Sequence, residues 1–336
     1  MQFGKVWFIL AVAVYSLSAC AQSADCSRKD VFCVGLVTDV LGINDHGMNQ
    51  NTWAGLQEAK AKGDVDQVEY IESIDTRDYE KNIAYFTEKG YDVIITNGVG
   101  MRDETLRSAD LKPDTVFVGI NQPQEEVRPN IIPVTFAEDQ MGFLAGALAA
   151  RISETRSIGA VCETSGIASV WRYCEGFRAG ALYEDKDIKV EVTYRENGDR
   201  ESLFIDETWG HDTAQVLIQH GADVIFAAGG ATGQGALLAA TEAQIHAIGT
   251  ERDQGAVLGP STGSKVVTSI LGRASSEVQN VIRSLKSGNI YQPGLNQIEY
   301  VPLSGKYPES LTREMNTLLL ALQNGEIKTN VPLEKP

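Results

Sequence analysis

The chain is poor in residues that commonly bind metals or carry out nucleophilic chemistry. Its 4 histidines (His46, His211, His220, His246) are scattered without ligand spacing, and its 5 cysteines form no Cys-x-x-Cys pair. No metal site and no cofactor are therefore expected. Neither a Gly-x-Ser-x-Gly elbow nor a His-Glu-x-x-His motif occurs, so nothing signals a serine hydrolase or a zinc peptidase. Positive charge is also scarce. The 29 Lys and Arg face 45 Asp and Glu, for a formal net charge of -16. A field of that sign repels nucleic acid and anionic lipid, which excludes nucleic acid as a partner class. The acidic residues are spread along the chain, as on a solvated surface. Beyond the first twenty residues, no apolar run reaches the roughly 18 residues of a membrane span.

The N-terminus carries the most specific single feature. Lys5 precedes an apolar run from Val6 to Val14, followed by Leu17-Ser18-Ala19-Cys20. A cationic start, a short apolar stretch and small residues before a cut site describe a secretory signal over residues 1–19. Cys20 after Leu-Ser-Ala resembles a bacterial lipobox. That likeness implies cleavage before Cys20, a diacylglycerol on its thiol, a tether over residues 20–30, and an extracytoplasmic domain anchored to a membrane. Four cysteines remain, an even number in an exported chain. Pairing neighbours in sequence gives Cys26–Cys33 and Cys162–Cys174, each closing a short loop worth about 2 kcal/mol.

A chain of 336 residues suggests two domains. Continuous apolar runs such as VFCVGLVT (Val31–Thr38), DVIIT (Asp92–Thr96), TVFVGI (Thr115–Ile120) and DVIFA (Asp223–Ala227) read as strands buried on both faces. Helical segments stand between them: Met48–Lys62, Tyr79–Lys89, Glu138–Ile152, Ala168–Leu182, Asp212–His220, Thr232–Ala243 and Ser275–Ser287. Alternation of this kind predicts parallel, doubly wound sheets. EKGYDVIITNG (Glu88–Gly98) and QHGADVIFAAG (Gln219–Gly229) share one layout, which suggests two α/β lobes of one design. The first lobe is expected over 31–133 plus about 255–290. The second is expected over 134–254 plus about 291–336. Ligands of open α/β sheets sit beyond the carboxyl ends of strands, so the cleft between the lobes is the expected site.

Residues just after strands are the candidates. Asp39 follows the first strand, and Asp45 and Asn49 stand where a helix begins, Asp45 reading mainly as a cap. Asn121 follows TVFVGI. Gly229 and Gly230 follow DVIFA in a G-G-x-x-G-x-G run, which is not the dinucleotide fingerprint. Glu251 follows a short strand, and Lys265 begins the next one. Asp39 with Glu251 could form a carboxylate pair, a weak signal for glycoside cleavage.

These segments together resemble the basic membrane protein family, substrate-binding lipoproteins of ABC importers that include purine-nucleoside receptors. The likeness runs through VTDVLGINDHGMNQNTWAGL (Val37–Leu56), EDQMGFLAGALAA (Glu138–Ala150), RYCEGFRAGA (Arg172–Ala181), GADVIFAAGGATGQG (Gly221–Gly235) and IGTERDQ followed by Lys265. It implies a type I periplasmic binding protein fold: two Rossmann-like lobes closing on a small ligand, with no catalysis and an ABC permease as partner. By residue, it implies ligand contacts at Asp39, Asn49, Gly229, Gly230 and Lys265, with Phe226 as a stacking ring. Met48 replaces the family's stacking Phe, Asn121 a base-reading Asp and Glu251 a ribose-reading Asp. Trp171 offers a replacement aromatic wall. The expected function is an extracytoplasmic, monomeric receptor for a nucleoside or related heterocycle. The alternatives are a sensory lipoprotein or an extracytoplasmic nucleoside or glycoside hydrolase.

Overall fold

The computed structural model describes residues 25–124, 126–198, 202–289, 291, 298–303 and 307–335. The signal segment and Cys20 lie outside them. The elements run β1 (Cys33–Val37), α1 (Met48–Ala61), β2 (Gln67–Ile71), α2 (Tyr79–Glu88), β3 (Val93–Asn97), α3 (Arg102–Leu111), β4 (Val116–Ile120) and β5 (Ile131–Val134). Then come α4 (Glu138–Ile152), β6 (Ser157–Cys162), α5 (Ala168–Glu184), β7 (Lys189–Tyr194), α6 (Glu207–Gln219), β8 (Val224–Ala228), α7 (Gly230–Glu242) and β9 (His246–Thr250). The chain closes with α8 (Gln254–Thr262), β10 (Val266–Gly272), α9 (Ala274–Lys286), β11 (Ile298–Tyr300) and α10 (Glu309–Gln323).

The first sheet is parallel, in the order β2-β1-β3-β4-β5. The second has the order β11-β10-β9-β8-β6-β7, parallel except for β11. Reversed, β7-β6-β8-β9-β10 repeats the first lobe's order strand for strand, so the likeness of Glu88–Gly98 to Gln219–Gly229 marks equivalent positions. The central strands β1, β3 and β8 are buried along their whole length, because helices cover both faces.

The helix after the last parallel strand of each lobe crosses to the other. α4 follows β5 but packs on α5, and α9 follows β10 but packs on α1. Glycines set the spacing. A Cβ on Gly142 would lie 1.8 Å from the Tyr173 carbonyl, and one on Gly146 would lie 1.9 Å from that of Phe177. Gly55 approaches Ser275 in the equivalent contact between α1 and α9, where a Cβ would sit 2.5 Å from the carbonyl.

This arrangement corrects the expected boundaries. Residues 255–272 do not join the first lobe, because β10 hydrogen-bonds to β9 in the second sheet; of the segment 255–290, it is α9 that packs on the first lobe. α6 also starts five residues earlier than expected, because Asp206 caps it by accepting from Trp209 N at 3.0 Å. α10, not anticipated, buries Leu311, Met315, Leu318 and Leu322 and packs on α4. Both expected disulfides, Cys26–Cys33 and Cys162–Cys174, are formed.

Candidate ligand-binding site

A cavity of about 780 Å³ lies where the carboxyl edges of the two sheets meet, lined by both lobes. From the first lobe come Asp39, Asp45, Met48, Asn49, Tyr79, Asn97, Gly98 and Asn121. From the second come Glu138, Met141, Tyr173, Arg195, Glu196, Phe204, Gly229, Gly230 and Glu251. Its volume is within the range that small organic ligands occupy.

On the first-lobe wall the polar groups form a chain. Asn49 Nδ2 donates to Asp39 Oδ1 at 2.8 Å, Asn97 Nδ2 to Asn49 Oδ1 at 2.9 Å, and Thr52 Oγ1 to Asn97 Oδ1 at 3.2 Å. Gly98 lets Asp39 sit close: a Cβ there would fall 2.8 Å from Asp39 Oδ2. Burial pushes Asp39 up to about 6, against the bonds from Asn49 and Leu41 N that favour its ionised form. Asp45 performs the capping role. It accepts from Gly47 N at 2.9 Å, Asn49 N at 2.9 Å and Gln50 N at 3.1 Å.

The second-lobe wall carries buried acids. Arg172 Nε and Nη2 both donate to Glu138 Oε2, at 3.2 and 2.7 Å. Glu138 Oε1 is buried and has no hydrogen-bond partner among the described residues. Burial raises the Glu138 carboxyl, although Arg172 opposes the shift. Burial, with smaller repulsion from Glu138 and Asp45, pushes Glu251 up to about 8. Arg195, just after β7, is committed to Glu163 by Nε at 2.8 Å, inside the protein.

The lobe equivalence extends into the site. Asn121 follows β4 with φ 55°, and Glu251 follows β9 with φ 66°. The Asn121 amide donates to Val134 O at 2.7 Å and the Glu251 amide to Ile270 O at 3.1 Å. Each therefore turns its side chain off a strand end in the left-handed region, which costs about 1–3 kcal/mol for a residue other than glycine.

Seven of the ten sequence-derived ligand positions line the cavity: Asp39, Met48, Asn49, Asn121, Gly229, Gly230 and Glu251. Three do not. Phe226 is fully buried and stacks on Phe177, with ring centroids 4.9 Å apart and planes 8° apart. It stands behind Tyr173, whose ring is 5.3 Å away and does reach the cavity. Trp171 is buried; the α5 face that meets the cavity is formed by Ser169, Val170 and Tyr173, and Trp171 is turned away from it by helical rotation. Lys265 precedes β10, at the amino edge of the sheet. It is separated from the carboxyl edge by the strand, about 20 Å long.

Sequence reasoning passed over Glu138, Tyr79, Tyr173, Arg195, Glu196 and Phe204. Applying the strand-end rule to β7 would have found Arg195 and Glu196. Leu203-Phe204-Ile205, an apolar run between polar residues, is the signal that could have pointed to Phe204. Glu138 and Tyr173 lie on helices, where only packing decides the outward face.

The family described as "ABC transporter substrate-binding protein PnrA-like" matches residues 32–316. A CD4+ T-cell-stimulating antigen of Listeria innocua is 28% identical over 84% of this chain and 83% of its own. The protein of Lactococcus lactis named ABC transporter nucleoside-binding protein BmpA is 28% identical over 73% of this chain and 74% of its own. Basic membrane protein D of Borreliella burgdorferi is 25% identical over 98% and 96%. Among solved structures, an ABC transporter solute-binding protein from Aeropyrum pernix superposes with a TM-score of 0.74 at 20% identity, covering 88% of this chain and 92% of that one. That match speaks for the fold: two α/β lobes of the periplasmic binding protein type. The family match spans most of the chain, and the protein belongs to the Bmp family of PnrA-like substrate-binding proteins of ABC transporters.

Proposed function

We propose that the protein captures a nucleoside or a related heterocycle bearing hydroxyl groups outside the cytoplasm and hands it to an ABC permease, without altering it. The carrying observation is how the cavity divides its walls. Asp39 and Asn49 sit at one side and Glu138 and Glu251 at the other, while Met48, Tyr79, Met141, Tyr173 and Phe204 supply apolar surface. The carboxylate of Asp39 suits hydroxyl donors, while Glu251, its carboxyl pushed up to about 8, keeps its proton near neutral pH and, like the Asn side chain, both donates and accepts, as a base edge requires. Thioethers and rings suit a flat heterocycle. The Lactococcus lactis relative named for nucleoside binding supports the same reading. Two disulfides support an oxidising location outside the cytoplasm, with Cys20 as the lipid attachment and a monomer as the working form.

Mass spectrometry of ligand released from the natively purified protein tests this, followed by calorimetric titration with nucleosides, free bases and sugars. Recovery and saturable binding of a nucleoside are expected. Binding of a sugar or amino acid in place of every nucleoside would overturn the ligand class. Intact mass should show an acylated N-terminus at Cys20.

A further inference from the structure

The chain after α10 returns over the second lobe and is pinned in three places. Thr329 Oγ1 donates to Asp139 Oδ2 at 2.5 Å. The Leu333 carbonyl accepts from Arg172 Nη1 at 2.9 Å. Lys335 Nζ donates to Ser165 Oγ at 2.5 Å and reaches Glu196 Oε1 at 3.5 Å. Each pin adjoins the cavity wall. Asp139 neighbours Glu138 at the start of α4. Arg172 grips Glu138 through its other two nitrogens. Glu196 lines the cavity, and Ser165 Oγ also donates to it.

Terminal segments usually fray unless tied down, yet this one is held by a guanidinium and an ammonium whose other partners are cavity acids. A guanidinium is a rigid planar fork. Fixing its Nη1 edge on the Leu333 carbonyl therefore fixes the plane in which Nε and Nη2 present themselves to Glu138. Both of those donors fall on Oε2. That leaves Oε1 buried and unpartnered among the described residues, a costly state that a ligand donor would relieve.

We infer that residues 329–335 are a clasp belonging to the ligand site: Leu333, through Arg172, and Lys335 are positioning residues that hold Glu138 and Glu196 where they accept hydrogen bonds from hydroxyl or amino groups of the ligand. The inference rests on the cavity being the ligand site and is independent of which ligand fills it.

Three proteins test it against the full chain: one ending at Lys328, Lys335→Ala and Lys335→Arg. Hydrogen exchange of the ligand-free proteins is followed over residues 138–142 and 164–174. Affinity is titrated with adenosine, guanosine, uridine and ribose as probes. The shortened protein is expected to keep a cooperative melt, exchange faster in both segments, and bind the best probe about tenfold more weakly. Lys335→Ala should weaken binding in the same direction, and Lys335→Arg should restore it. Unchanged exchange overturns the clasp. So does faster exchange with undiminished affinity, which would make the segment packing alone. If the shortened protein does not fold, the two Lys335 variants decide by the same readouts. If the full chain binds none of the probes, the nucleoside reading fails; unchanged exchange still overturns the clasp, and the affinity comparison is made with the small molecule that mass spectrometry identifies in the natively purified protein.

Discussion

Asp39 holds the centre of the first-lobe network, accepting from Asn49 and from Leu41 N while lining the cavity. Asp39→Ala removes a charged acceptor, worth about 1.5–3 kcal/mol, so affinity for the ligand should fall roughly tenfold to a hundredfold by titration. Glu251 gives a pH signature. Its carboxyl is pushed up to about 8 from an ordinary value of 4.5, so the folded protein holds its proton more tightly than the unfolded chain. The favourable contribution is complete below 4.5 and is lost as pH rises through 8. Glu251→Gln should flatten the dependence of Tm on pH across that window and raise Tm at its upper end relative to the parent; an unchanged profile would refute the assignment. Phe226 carries a different expectation from the one its place in the DVIF motif suggested. It lies in the core against Phe177 and Tyr173, so Phe226→Ala should cost about 3–5 kcal/mol of stability in denaturant unfolding. Asp39 was legible because a residue just past a buried strand must emerge at the sheet edge. Phe226 was misread because β8 runs two residues beyond it, to Ala228; it therefore lies mid-strand, and its side chain meets the covering helix α5 instead of emerging at the sheet edge.

The contact between α4 and α5 depends on backbone proximity. Gly142 and Gly146 face carbonyls of α5, while a Cβ on Gly176 or Gly180 would fall 2.2 or 1.9 Å from carbonyls of α4. Gly146→Ala must push the helices apart, costing about 1–3 kcal/mol. Because Glu138 and Tyr173 ride on these two helices, the same variant should also weaken ligand binding, and intact affinity with lowered Tm would show that the site is insulated from the pair. Helices and strands of this kind were largely readable from periodicity. α10 was not, although Leu311, Met315, Leu318 and Leu322 follow helical spacing, because it follows a three-residue antiparallel strand and stands outside the repeated parallel β/α units. The boundary near residue 255 was misplaced for a deeper reason: hydrophobic pattern identifies a buried strand but not the sheet that receives it.

Two lobes that enclose one cavity couple binding to folding. A ligand at a hundred times its Kd adds about 2.7 kcal/mol of stability, so a saturating nucleoside should raise Tm, and a melt indifferent to every tested nucleoside would count against this ligand class. Contacts already bridge the lobes beside the cavity: Asn51 Nδ2 donates to Glu251 O at 2.6 Å, and Gln254 Nε2 to His46 O at 3.3 Å. Local sequence alone determined the alternation of strands and helices, the doubled α/β plan, the pairing of near cysteines and the candidates at strand ends, because each depends on neighbours a few residues apart. The tertiary structure decided which candidates share one cavity, why α4 and α9 exchange lobes, and how residues 329–335 come to lie against Glu138 and Glu196. Those outcomes depend on contacts between segments far apart in the chain, such as Thr329 with Asp139 and Arg172 with Leu333, whose partners are chosen by packing of the whole and leave no local signal in the order of residues.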